Sequence, residues 1–455
     1  MQRSIFRWER EFSSQLVRLA IPIALQSVVA SSMQLVDNLM IAAIGSDLPI
    51  AAVSQANRVS FLFQVALFGA ISGSSIFVAQ YWGKRDVLGV RRTFGIATVV
   101  GLVVAALIGL PSIAAPRAIM RLLVKSEDVV NLGAEYLGIM GFVYFVQSQS
   151  LVRAAVLKST EQVKLPMFAS IAGILTNVVF NYLLIFDHMW IGGWGVRGAA
   201  IATLIGTLVE LFIIEFFARR YRFSTAAKFR EMLPTAPQVK HFLAIALPVL
   251  LNESLWAAGT VTYSAVYGRI GDGVAASAAA GIFSNVDQLS GIAIRALCHA
   301  SGVMVGMALG AGQLERAKLY AKRFMFASPL ITQAFCVAVV LPLSGLIVGF
   351  FPVDAGTARM AREMTYILIA FSWVHAINCT VIVSLLRTGG DVRAAAVIDV
   401  TPLWAIGVPL AAIAGIVLKW ELKYVYLSTY LEALAKLAFG IRRYRQRKWV
   451  RSIVK

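Results

Sequence analysis

Apolar stretches of about twenty residues or more follow one another along the whole of this 455-residue chain, with only short polar breaks between them. At about 1.5 Å of rise per residue, each is long enough to cross a hydrocarbon layer roughly 30 Å thick. Lipid offers the peptide group no hydrogen-bonding partner, so stretches this long and without alternation are predicted to be helices. The expected spans are 15–43, 48–80, 93–114, 134–157, 166–187, 196–218, 241–267, 275–306, 319–350, 363–386, 394–418 and 423–440. The expected fold class is therefore an all-α integral membrane protein of about twelve helices. A composition of 59% apolar and only 14% charged residues agrees with a surface that faces lipid.

The net charge of +19 would suit nucleic acid if the basic residues formed one face, but they do not. Most of the 42 Lys and Arg bunch at Arg3 to Arg10, Lys84 to Arg92, Arg153 to Lys164, Arg219 to Lys240, Arg316 to Arg323, Arg387 to Arg393 and Arg442 to Lys455. These clusters fall at both ends and after every second span, as the positive-inside rule requires when both termini are cytoplasmic. The partner read from the charge is a lipid bilayer and not nucleic acid. The expected location is a membrane, crossed many times. Met1 to Phe12 is charged and has no cleavable signal pattern, and Cys298, Cys336 and Cys379 form no short-spaced metal or redox motif.

The chain repeats itself. Leu19-Ala20-Ile21-Pro22 is echoed by Leu243-Ala244-Ile245 with Pro248, and 23 residues separate Pro22 from Gly45 and Pro248 from Gly271 alike. Val78 to Gly83 is matched in the same way by Val305 to Gly310. Two six-helix halves in one orientation imply a pseudo-two-fold axis along the membrane normal and suit alternating access. The expected organisation is an N-terminal lobe over 1–218, a polar cytoplasmic linker over 219–240, a C-terminal lobe over 241–440 and a basic cytoplasmic tail over 441–455.

Leu35-Val36-Asp37-Asn38-Leu39-Met40-Ile41, followed by Ile44-Gly45, resembles the first-helix signature of the multidrug and toxic compound extrusion (MATE) family. Gly302 to Gly312 with Ala317-Lys318 resembles that family's motif at the end of helix eight. Leu386-Arg387-Thr388-Gly389-Gly390-Asp391, Ile398-Asp399 and Gly407-Val408-Pro409-Leu410 resemble its second-half loop and the helix after it. The resemblance implies a monomeric, non-enzymatic antiporter of the bacterial NorM/DinF-like type. It would export small organic, often cationic compounds against entry of Na+ or H+, with no resident cofactor. A flippase of lipid-linked oligosaccharide or peptidoglycan precursors, from the same superfamily, is the alternative; it would need several Arg or Lys inside the spans to meet a pyrophosphate.

An ionisable group inside a span is costly, which makes each one a candidate for function. Asp37 lies well inside span one, with Gln34 three residues before it on much the same face. Asn177 and Asn181, four apart, share a face of span five, and Thr203 adds a hydroxyl from span six. By resemblance Asp37, Asn177, Asn181 and Thr203 match an N-lobe cation site, where Na+ would meet only oxygen ligands. Asn181 stands where many relatives resemble one another in carrying a second carboxylate. In the second half Glu253 is expected to lack a basic partner and so to be free for a cation or a cationic substrate. Asp287, Arg295 and His299 fall on one helical face, and Asp287 with Arg295 would form a neutralised structural pair. Gln26, Gln34, Tyr136, Gln147, Gln149 and aromatic side chains such as Phe63 and Trp256 are expected to line the cavity. A nucleotide-driven pump lacks its phosphate-binding loop here, and a membrane enzyme lacks a recognisable catalytic motif.

Overall fold

A computed structural model describes residues 10–42, 47–186, 193–271, 273–351 and 353–454; the side chains of 32–39, 41–42 and 47 fall outside the description. Gln34 and Asp37 are among the latter and lie outside the described residues. The helices are α1 (Arg10–Ala42), α2 (Asp47–Gly83), α3 (Val87–Ala114), α4 (Pro116–Leu123), α5 (Glu127–Ser159), α6 (Lys164–Ile185), α7 (Gly195–Arg220), α8 (Ala236–Tyr267), α9 (Val274–Gly310), α10 (Leu314–Phe335), α11 (Leu341–Gly349), α12 (Ala355–Asn378), α13 (Val392–Pro402), α14 (Val408–Ala412) and α15 (Leu422–Arg445). No strand occurs among the described residues.

Eleven stretches of the described chain are long and apolar enough to cross a membrane. The twelfth expected span is α15, 24 residues long, whose apolar character is diluted by Glu432 and Lys436. Both are buried, so the polarity of this helix is turned inward. Large apolar side chains such as Leu107, Phe212 and Leu330 are more than two-thirds exposed, as a lipid-facing surface requires.

The expected spans 319–350, 363–386 and 394–418 are each long helices with an insertion. Widened π-helical turns over Cys336–Val340, Cys379–Leu386, Leu403–Gly407 and Ile413–Val417 join or extend α10 to α14. Such turns carry one extra residue per turn and are common beside functional groups. Two of these four flank residues of the charged cluster described below.

The described chain divides into two compact units. One holds Leu25–Trp82 and Asp86–Leu250. Its core includes Phe63, Leu67, Leu137, Val143 and Tyr144, with the Phe63 ring stacked on Tyr144 at 4.6 Å. Phe63 is thus a core residue and not cavity lining, and Tyr136 is likewise buried in that core. The stretch 219–240 expected as a linker packs on α3 in this unit. Arg91 pairs with Glu231 at 2.8 Å, and a Cβ on Gly95 would collide with the Met232 carbonyl.

The other unit holds Met1–Ala24, Gly83–Arg85 and Leu251–Lys455, with a core of Met364, Leu368, Val374, Tyr426 and Tyr430 among others. Phe12 at the start of α1 sits against Tyr320 and Phe324 at 5.4 and 5.3 Å, and Glu11 pairs with Arg316. These contacts tie the first turns of α1 to α10. The expected basic tail is also folded back: Trp449 is fully buried, stacks on Tyr444 and donates to the Tyr444 carbonyl at 3.1 Å. Arg451 donates to the carbonyls of Gly389 and Gly390 at 3.2 and 2.9 Å, and Arg443 clasps Asp391 through two bonds of 2.6 and 2.9 Å. Asp391 is therefore an ion-paired loop residue.

Candidate functional site

In the first unit the expected polar residues do meet. Asn177 on α6 donates to Thr203 Oγ1 on α7 at 3.3 Å, and Asn181 Nδ2 donates to Asn177 Oδ1 at 3.2 Å. Thr203 closes the chain onto the Ala199 carbonyl at 2.9 Å. Both asparagines are buried, because their i, i+4 spacing puts them on the face of α6 that packs against α7. The group offers amide and hydroxyl oxygens, the donor chemistry of a hard monovalent cation, and carries no formal charge of its own.

Gln26 is held by Ser170 at 2.8 Å, and Gln149 reaches Ser148 at 3.2 Å. Trp256 remains 43% exposed. Asp287 on α9 is exposed, accepts from Ser290 Oγ at 3.4 Å and lies within electrostatic reach of Arg295, Tyr267, Tyr426 and Tyr430. Arg295 folds back along its own helix and donates to the Gln288 carbonyl at 3.1 Å. The two thus interact through space, without the direct contact a neutralised pair would have.

The second unit corrects the expectation for Glu253. It is not free: Arg387 Nη1 donates to Glu253 Oε1 at 2.7 Å, in a pair whose side chains are 2% and 13% exposed. The sequence places Arg387 in a basic loop. The widened turn at the end of α12 instead carries it into the interior beside α8.

Arg387 is one member of a larger cluster. Its Nη2 lies 3.9 Å from Asp399 Oδ2, which also accepts from Asn252 Nδ2 at 3.0 Å. Lys436 bridges Asp399 and Glu432 at 2.9 and 2.6 Å, and the Tyr263 hydroxyl donates to Glu432 Oε2. Three carboxylates therefore face two cations inside helices that span the membrane, an excess of one negative charge. Gly407 makes room for it, since a Cβ there would collide with the Tyr263 hydroxyl and the Glu432 carboxylate.

Neither Glu432 nor Lys436 is singled out by the sequence as a site residue. The signal available was an acid and a base at i, i+4 inside the last apolar stretch, a pattern equally at home on a solvated face.

The MatE family model matches residues 22–183 and again residues 248–413, so it covers most of the chain in two copies. The chain belongs to the MatE family. The two matches begin at Pro22 and Pro248, the prolines that mark the internal repeat. Among similar MATE proteins, the probable multidrug resistance protein YoeA of Bacillus subtilis is 23% identical over 94% of this chain and 92% of its own length. The multidrug resistance protein NorM of Burkholderia vietnamiensis is 26% identical over 86% and 85%. An outward-facing multidrug resistance MATE transporter of the MOP superfamily has the same fold, with a TM-score of 0.86 at 19% identity over 98% of this chain and 97% of that one.

Proposed function

We propose that this MATE protein is a secondary antiporter that exports small organic, often cationic compounds in exchange for Na+ or H+ by alternating access. It would act as a monomer in a bacterial inner membrane with both termini cytoplasmic, and it would carry out no covalent chemistry. The observation that carries the reading is the cluster of Glu253, Asp399 and Glu432 with Arg387 and Lys436. A membrane interior tolerates one uncompensated charge poorly, and an entering cation completes the balance.

Asp37 is the proposed acid of the first half. With Asn177, Asn181 and Thr203 it would supply only oxygen ligands, which suits Na+ as well as a proton on Asp37 alone. Asp287, within electrostatic reach of Tyr267, Tyr426 and Tyr430, has the chemistry to attract an organic cation, whose charge the carboxylate would meet. Gln34 is the proposed neighbour of Asp37. The names of the relatives agree with drug export. The flippase reading is disfavoured because Arg387 and Lys436 of the second unit's charged cluster are outnumbered by their own carboxylates, so that cluster offers a pyrophosphate no net positive charge.

The test is export of a fluorescent organic cation from vesicles holding the purified protein, under an imposed Na+ gradient and, separately, an imposed pH gradient. Movement under one gradient names the coupling ion. No movement under either, together with transfer of a lipid-linked pyrophosphate, would overturn the antiport reading.

A further inference from the structure

Ser170, Gly173, Asn177 and Asn181 lie along one face of α6, and Thr203, Gly206 and Glu210 along the facing side of α7, at helical spacing in both cases. The two helices close to backbone contact where their glycines meet. A Cβ on Gly173 would lie 2.8 Å from the Gly206 carbonyl, and one on Gly206 would lie 2.6 Å from that of Gly173. To one side of this contact sits the neutral Asn177, Asn181 and Thr203 group. To the other, Ser170 Oγ donates to Glu210 Oε1 at 2.6 Å.

Ser170 in turn accepts from Gln26 Nε2 at 2.8 Å, which brings α1 into the same chain of bonds one turn beyond Pro22. From α5, the Lys158 ammonium and the Ser150 hydroxyl face Glu210. Among the described residues, Lys158 is the titratable side chain that acts on this carboxylate, and it does so through space, without an ion-pair contact. Arg153, between Ser150 and Lys158 on α5, pairs instead with Glu215 at 2.9 Å.

The bond directions follow from the charge on Glu210. An ionised carboxylate only accepts, so the Ser170 hydroxyl must donate to it and has only lone pairs left for Gln26, which therefore presents its NH2 group. A proton placed on Glu210 Oε1, the oxygen that Ser170 meets, reverses the direction of that bond. Its O–H then donates to Ser170, which frees the Ser170 proton to turn to Gln26 as the Gln26 amide turns over to offer Oε1.

We propose that Glu210 is a proton-binding site of the first unit, whose proton reverses the Glu210–Ser170–Gln26 hydrogen-bond chain and so reports protonation to α1. One proton from water is taken up and no bond between heavy atoms changes. The role in a transport cycle rests on the antiport reading above; the site itself does not.

The experiment is an infrared difference titration of the full chain in detergent, following the C=O band of a protonated carboxyl and the side-chain amide band. The expected result is a carboxyl band that grows on acidification together with an amide change of the same midpoint. The part of the carboxyl band that shares the amide midpoint is lost in Glu210→Gln, the amide change is lost in Gln26→Leu, and both midpoints move to higher pH in Lys158→Met, where the facing cation is gone.

Should Glu210→Gln fail to fold, Ser170→Ala serves instead, keeping a carboxyl band but losing the coupled amide change. An unaltered carboxyl band in Glu210→Gln, a midpoint unmoved in Lys158→Met, or an amide change that survives Ser170→Ala overturns the proposal. None of these outcomes bears on whether the protein moves organic cations.

Discussion

Glu253 and Arg387, 134 residues apart in the chain, meet at 2.7 Å in the interior of the second unit. Neither helix alone would tolerate its charge at that depth, so the pair and its neighbours Asp399, Lys436 and Glu432 stand or fall together. Two of the widened helical turns lie next to members of this cluster, at Cys379–Leu386 before Arg387 and at Leu403–Gly407 after Asp399.

Glu253→Gln leaves Arg387 with Asp399, 3.9 Å away, as its nearest carboxylate. Breaking a buried pair in this way costs about 3 kcal/mol. The expected outcome is a lower unfolding temperature in detergent, partly restored in the double variant Glu253→Gln with Arg387→Met, which removes the stranded cation. A double variant less stable than the single one would show that the pair is not the reason.

Gly407→Ala drives a methyl group into the Tyr263 hydroxyl and the Glu432 carboxylate. Overpacking of this kind costs about 1–3 kcal/mol. Tyr263→Phe removes the obstructing hydroxyl, so the two substitutions are expected to be less than additive in a thermal-unfolding cycle. Strict additivity would place the clash elsewhere.

Asp37→Asn keeps nearly the same volume and removes the charge. Gradient-driven export of an organic cation is expected to be lost while the unfolding temperature holds. Full export by this variant would remove Asp37 from the coupling site.

Asp354 caps the N-terminus of α12 from outside the membrane-spanning stretch. Hydrogen bonds from the Thr357 side chain and from the amides of Thr357 and Gly356 hold its carboxyl below the usual range. A folded-state value below the unfolded one means the cap is fully stabilising above the ordinary carboxyl pKa and is lost as pH falls through the lower, folded value. Asp354→Ala is therefore expected to flatten the acid limb of the unfolding-temperature profile, leaving its neutral end lowered. An acid limb unchanged by the substitution would assign that limb to other carboxylates.

The helical membrane architecture of this chain follows from the apolar runs alone, because runs of that length allow no other backbone solution in lipid. Its repeat was equally legible, since Pro22 and Pro248 sit at matched distances from Gly45 and Gly271 and mark where the two family matches begin. Spacing also told which side chains share a face, and Asn177, Asn181 and Thr203 do meet.

Spacing along one helix is silent about what stands across from it. Packing between helices gives Glu253 its basic partner, turns Glu432 and Lys436 inward and puts Glu210 on one seam with the asparagines. These are contacts between residues distant in the chain, selected by how closely glycines such as Gly173, Gly206 and Gly407 let the helices and side chains approach.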